Sequence, residues 1–142
     1  MAAFLDSGFY LGLVHPKDKN RERSLALLAD LEGGQFGLLY TSNYIMAEAA
    51  TLAAVRSRND PRVIALIRSY FTGDLQVATL LQSSPVDDES TWNLFEKVNE
   101  TQSLDQSMSF ADCSSIVLCQ QHQIESIIAF DGHFQGWLQQ IW

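Results

Sequence analysis

Four acidic residues stand out by context rather than by number. Asp6 ends an apolar run, Phe4-Leu5-Asp6, and Asp131 ends another, Ile127-Ile128-Ala129-Phe130-Asp131. Glu48 lies in Tyr44-Ile-Met-Ala-Glu48-Ala-Ala-Thr-Leu, a stretch of apolar and small residues with helical character. Asp112 lies in Ser109-Phe-Ala-Asp112-Cys-Ser-Ser-Ile, near the expected start of a second largely apolar helix. A lone Asp at a strand end is usually a cap or turn former. A carboxylate inside an apolar helix is different, because a buried charge is costly unless it is paired. No Lys or Arg sits within a helical turn of Glu48 or Asp112 to pair with it locally. Two carboxylates about 4 Å apart repel by roughly 4 kcal/mol at an effective dielectric of about 20. Several that converge would be driven to protonate or to separate unless a cation compensated them. An all-oxygen acidic site selects a hard ion, magnesium or manganese, over zinc. Its chemistry would be activation of water and stabilisation of phosphate charge in an in-line hydrolysis.

The elements that must position these acids alternate between strand and helix. Ala2–Asp6 reads as a buried strand, followed directly by Ser7-Gly8 opening a turn or helix. Arg21–Leu31 has helical spacing through Leu25, Leu28 and Leu31, with Gly33-Gly34 as its stop. Gly37–Thr41 is a second strand. Thr41 or Ser42 then caps a helix over residues 43–58, and Asp60-Pro61 caps another that reaches Phe71 and ends at Gly73. Leu75–Leu80 is a third strand, Asp88–Val98 an amphipathic helix with Trp92 and Phe95 at its apolar face. A helix from Phe110 or Asp112 to Gln121 and a fourth strand over Ser126–Phe130 complete the pattern, before a Trp-rich end. Alternation of this kind implies a parallel sheet covered on both faces, with ligands beyond the carboxyl ends of the strands. Asp6 and Asp131 would stand there.

Composition bounds the rest. With 142 residues, 46% hydrophobic and 18% charged, the chain suits one folded domain over residues 1–142 and not a disordered one. No apolar run approaches the roughly 20 residues of a membrane helix. The beginning lacks the basic and long apolar regions of a secretory leader, so a cytoplasmic protein is expected. Cys113 and Cys119 are six apart on one helix and face nearly opposite sides, which predicts buried thiols rather than a disulfide or a zinc site. The net charge of −8 is unevenly spread. Residues 1–68 hold eight of the nine Lys and Arg against seven acids, a local +1, whereas residues 69–142 hold Lys97 against ten acids, −9. Any surface that meets phosphate is therefore expected around Lys17, Lys19, Arg21 and Arg23, or around Arg56, Arg58, Arg62 and Arg68.

Taken in order, the four acidic segments resemble the motifs of PIN-domain nucleases, and of VapC-type toxins in particular. Phe-Leu-Asp6-Ser7 is similar to the first-strand motif, and Thr41-Ser42-Asn-Tyr-Ile-Met-Ala-Glu48 to the second. Asp105-Gln-Ser-Met-Ser-Phe-Ala-Asp112-Cys resembles the third, and Ile-Ile-Ala-Phe-Asp131-Gly-His-Phe134 the fourth. The resemblance runs from residue 4 to residue 134. It implies a three-layer α/β/α sandwich with a central, mostly parallel sheet that gathers the four acids at one edge. It implies that Asp6, Glu48, Asp112 and Asp131 are both the catalytic residues and the ligands of one or two Mg²⁺ ions, with Mn²⁺ as a substitute, and that Ser7 supports the first Asp. The implied activity is metal-dependent endoribonuclease hydrolysis of RNA phosphodiester bonds, as the toxin of a type II toxin–antitoxin pair. The implied partners are an RNA substrate, a small DNA-binding antitoxin and a second copy of the chain in a homodimer. One departure is Gly132, where relatives often carry a basic residue; it leaves His133 as the candidate phosphate contact of that motif, with a plain surface histidine as the alternative. His15 and His122 are expected to be structural or exposed, and Asp105 to be a loop or capping residue. Trp137 and Trp142 suit either core or interface.

Two other Asp-based readings fit poorly. A haloacid-dehalogenase-type phosphotransferase needs a second Asp where Gly8 stands, and a phosphoreceiver needs a Lys near the end, whereas the last basic residue is Lys97. The remaining alternative is a PIN-like scaffold that binds RNA or a protein without cleaving it.

Overall fold

The computed structural model of the chain describes residues 1–142 apart from the Asp105 side chain, so the expectation for Asp105 lies outside the described residues. Five strands form one sheet: β1 (Ala2–Leu5), β2 (Leu38–Ser42), β3 (Thr79–Leu81), β4 (Ser126–Ile128) and β5 (Gln139–Ile141). Their order is β3-β2-β1-β4-β5, and every pair is parallel. Helices α1 (Ser7–Val14) and α2 (Arg21–Glu32) connect β1 to β2; α3 (Asn43–Arg56) and α4 (Pro61–Thr72) connect β2 to β3; α5 (Pro85–Asn99) and α6 (Phe110–Gln121) return to β4. The first two connections advance across the sheet and the third reverses. With right-handed crossovers this puts their helices on opposite faces, the expected α/β/α sandwich. The reversal falls between β1 and β4, which is the switch point where the carboxyl ends of the strands open a crevice.

Local chemistry explains most element boundaries. The Ser42 hydroxyl accepts from the Ile45 amide at 3.2 Å and starts α3, which the alanines at 47, 49, 50, 53 and 54 carry forward. The Asp60 carboxylate accepts from the Arg62 amide ahead of Pro61, and Gly73 closes α4. Ser84 with Asp87, and Ser109 with Asp112, form reciprocal capping boxes at the starts of α5 and α6. α1 is apolar all round and accordingly buried all round, packed on α2, α3 and α4. Its Tyr10 ring stacks on Phe71 of α4, with centroids 4.0 Å apart. Cys113 and Cys119 are free and buried, and burial pushes their thiols up to about 11 and about 12, so both are unreactive at neutral pH. No helix among the described residues is long and apolar enough to cross a membrane.

Four expectations need correction. The third strand is Thr79–Leu81 rather than Leu75–Leu80, because the turn after α4 continues, with the Leu75 amide bonded to the Ser69 carbonyl and Gln76 to Gly73. The final segment contains a fifth strand that the sequence did not announce; three residues with two glutamines carry no apolar pattern. α2 buries Ser24, Leu27 and Leu31, while Leu25 is exposed. The fourth strand is Ser126–Ile128 rather than Ser126–Phe130. Trp92, though half exposed, does lie at the apolar face, its ring set edge-on to Phe95 and Phe110.

The phase of α2 follows from one close approach. A Cβ at Gly12 would lie 2.0 Å from the Ser24 hydroxyl and 3.1 Å from the Asn20 carbonyl, so α1 and α2 meet where neither has bulk. Gly12→Ala is expected to destabilise the fold by about 1–3 kcal/mol in urea unfolding, the usual scale for overpacking. Adding Ser24→Gly should recover much of that stability; an unchanged midpoint for Gly12→Ala would contradict the packing described.

Candidate active site

Each of the four acids is delivered by a different element to the same end of the sheet. Asp6 follows β1 directly, with extended backbone, as the residue before α1. Its amide donates to the Ile128 carbonyl at 3.0 Å, which ties the end of β1 to the end of β4. Asp131 lies three residues past β4, in the bend beyond the switch point. Glu48 lies in the second turn of α3, which starts at the end of β2, and Asp112 is the third residue of α6. The Thr41 hydroxyl donates to the Leu5 carbonyl at 3.0 Å, so the ends of β1 and β2 are also joined.

The acids differ in burial, and this sets their chemistry. Asp6 and Asp112 are 3% and 6% exposed, Glu48 is half-buried, and Asp131 is exposed. Asp6 is held well above the usual carboxylate range, first by burial and then by the charges of Asp112, Asp131 and Glu48. Burial also raises Glu48, opposed by a hydrogen bond from the Ser7 hydroxyl and assisted by the charges of Asp112 and Asp131. Burial raises Asp112, while its hydrogen bond with His133 pulls the other way.

His133 is the residue whose role the sequence left open. Its Nδ1 lies 2.8 Å from Asp112 Oδ2 and 3.7 Å from Asp131 Oδ1, and its amide donates to Asp131 Oδ1 at 3.1 Å. Burial alone would lower the imidazole pKa, but the bond to Asp112 and the charges of Asp131 and Asp112 outweigh it and raise it. Asp112 Oδ2 also accepts from the Ser109 amide at 3.3 Å, so this carboxylate caps α6 and anchors His133 at once. A histidine two residues after a strand-end Asp was a weak signal for this; its partner, 21 residues earlier in the chain, was not legible. His15 and His122 are structural or exposed as expected: His15 bonds backbone atoms of Lys17 and Arg56, and His122 is the exposed C-cap of α6.

Whether these residues suit a hard cation can be judged from the donors. One oxygen of Asp6, Oδ1, is buried with no hydrogen-bond partner, an expensive arrangement for a carboxylate that faces three other acids. The set is all oxygen, as magnesium and manganese require. As the side chains stand, no three His, Cys, Asp or Glu of the described residues are close enough to ligate one ion together. Asp6 and Asp112 are fixed by burial, so Glu48 and Asp131, the two more exposed acids, are the ones that would close on it. The donor set fits.

Two recesses flank the acids. One, of about 310 Å³, is lined by Asp6, Glu48 and Asp131 and also by Asp18, Lys19 and Arg56. The second, of about 660 Å³, opens beside His133 and is lined by Lys97, Met108 and Trp137.

No protein-family model matches the chain. A VapC ribonuclease of Archaeoglobus fulgidus is 25% identical over 134 residues, which are 94% of this chain and 80% of that protein. Among solved structures, VapC20 of Mycobacterium tuberculosis, described as a Sarcin-Ricin loop cleaving toxin, superposes with a TM-score of 0.76 at 22% identity and covers 94% of this chain and 93% of its own. VapBC2 of Rickettsia felis, solved bound to a DNA fragment from their promoter, gives 0.67 at 10% identity over 99% and 98%. FitAcB of Neisseria gonorrhoeae gives 0.66 at 17% identity over 98% and 96%. The likeness in each case covers nearly the whole chain.

The crowding of negative charge has a measurable consequence in protein stripped of divalent ions. A carboxylate raised in the folded state binds its proton more tightly there than when unfolded, so its contribution to stability falls as pH rises from the unfolded value through the folded one. In EDTA, Tm is therefore expected to rise as pH is lowered from about 7 toward about 5.5. Asp6→Asn should flatten that dependence and raise Tm at neutral pH. A Tm that falls over this interval, or an Asp6→Asn variant that is less stable at neutral pH, would contradict the electrostatics described here.

Proposed function

We propose that this chain, a VapC-type PIN-domain protein, is a divalent-metal-dependent endoribonuclease that hydrolyses RNA phosphodiester bonds and serves as the toxin of a toxin–antitoxin pair. The observation that carries this reading is the buried, unpartnered oxygen of Asp6 at the β1–β4 switch point, facing the charges of Glu48, Asp112 and Asp131. The sequence likeness to a VapC ribonuclease supports the choice of RNA.

In this reading Asp6, Glu48, Asp112 and Asp131 hold Mg²⁺ or Mn²⁺, which when bound supplies positive charge for the phosphate oxygens and for activation of water. The chain's own groups divide the remaining work. Asp6 and Asp112 are rigid, one locked by β4 through its amide and the other by its helix cap. Glu48 is half-buried and burial raises its pKa, which suits it to take a proton from the attacking water. His133 holds Asp112 through its hydrogen bond and sets an imidazole of raised pKa beside the acids. Neighbours solved as two-component assemblies with DNA support a small DNA-binding antitoxin as the partner of this chain; a homodimer belongs to the same proposal.

The test is cleavage of a panel of structured RNAs by purified, antitoxin-free protein. Cleavage is expected with Mg²⁺ or Mn²⁺ and not in EDTA. Asp6→Asn and Asp112→Asn should each reduce it at least about 100-fold, the scale of removing one electrostatic stabiliser of a transition state, with circular dichroism unchanged. Protein that leaves every RNA intact with either metal would favour a PIN-like scaffold that binds without cleaving.

A further inference from the structure

We infer that Lys19 and Arg56 form a subsite for the backbone phosphate next to the scissile one, from which a single strand of RNA runs on past Lys17 and Arg58. This rests on the ribonuclease reading and adds to it the residues that hold the substrate's backbone.

The eight basic residues of the first half divide by whether they line the recess beside the acids and the one that adjoins it. Arg21 donates to the Gly12 and Leu13 carbonyls and finishes α1. Arg23 donates to the carbonyl of Trp142. Arg62 pairs with Asp60, the cap of its own helix, and Arg68 is exposed on α4 away from the recesses beside the acids. Lys19 and Arg56, in contrast, line the 310 Å³ recess together with Asp6, Glu48 and Asp131, and Asp18, the partner of Arg56, lines it too. Leu11, Leu52 and Phe130 add apolar surface to the same recess. A recess that combines cations, metal-seeking carboxylates and apolar surface suits one nucleotide, with its phosphate at the cations and its sugar and base on the apolar side chains.

The two cations come from separate elements, and one histidine joins those elements. His15 Nδ1 accepts from the Lys17 amide at 3.1 Å, which leaves Nε2 to donate to the Arg56 carbonyl at 3.2 Å. The segment that carries Lys17 and Lys19 is thereby fixed to the end of α3. Asp18, nearly buried, lies 3.8 Å from the Arg56 guanidinium and steadies it while leaving the side chain half exposed. A second recess of about 530 Å³ shares Arg56 with the first and adds Lys17 and Arg58. The cations thus form a continuous course that begins at the acids. The second half of the chain has only Lys97 to offer a polyanion, so this course is where a backbone can be neutralised.

Binding of a fluorescein-labelled single-stranded RNA of about 12 nucleotides, followed by anisotropy in Ca²⁺ across a salt series, tests this. Removing one cation that pairs with a phosphate of a single strand lowers the slope of log Kd against log salt by about 0.7. Lys19→Gln and Arg56→Gln are each expected to lower it by that amount and the double variant by about 1.4, while Arg56→Lys keeps most of the slope and Arg68→Gln keeps all of it. In cleavage the double variant should raise KM and leave kcat within about threefold, as removal of binding shared by ground and transition states does. A double variant with wild-type slope and Kd, or an Arg68→Gln variant whose slope falls as far, overturns the subsite while wild-type cleavage upholds the ribonuclease reading. Wild-type protein that neither binds nor cleaves RNA overturns both.

Discussion

The pairing of β1 with β4 at the centre of the sheet is the constraint on which the rest depends. It buries the Asp6 carboxylate at the end of β1 and locks its amide to β4, so one fixed negative charge sits at the switch point. Every neighbouring feature responds to that charge. Asp112 and Glu48 arrive from helices on different connections, Asp131 arrives from the strand next door, and His133 answers two of them. The local structure around them is strongly determined: a hydroxyl cap starts α3, a capping box starts α6, and a Thr hydroxyl joins the ends of β1 and β2. Such reinforcement is what a cluster of like charges requires, since a repulsion of several kcal/mol must be opposed by the fold or by a cation.

The division between rigid and adjustable acids follows from burial. Asp6 and Asp112 cannot move without opening the core, whereas Glu48 and Asp131 reach the solvent and can rotate. A site built this way keeps its axis fixed and adapts its rim, which suits a small hard cation with exchangeable ligands. Asymmetry of charge completes it. The negative half of the chain supplies Asp112 and Asp131 but almost no cations, and the other half supplies Asp6 and Glu48 together with Lys19 and Arg56.

Much of this was legible in the residues themselves. Helix caps at Ser42 and Asp60, the stop at Gly73 and the buried thiols are short-range effects, decided within a turn or two of chain, and they stand where the sequence put them. The four acids were legible because a carboxylate in an apolar run is anomalous wherever it occurs. The errors share a cause: Leu25 and the third and fifth strands depend on partners distant in sequence. Leu25 faces outward because Gly12 admits Ser24, and Gln139–Ile141 is a strand because β4 offers it an edge.

The sequence by itself therefore determined the alternation of strand and helix, the identity of the acidic set and the half of the chain that carries the basic residues, because each is a matter of residue type and local spacing. Tertiary structure alone decided which acids are buried, that His133 belongs to Asp112, and that Lys19 and Arg56 share a recess with the acids while Arg21 and Arg62 do not. Those are distances between residues far apart along the chain, and no local pattern encodes them.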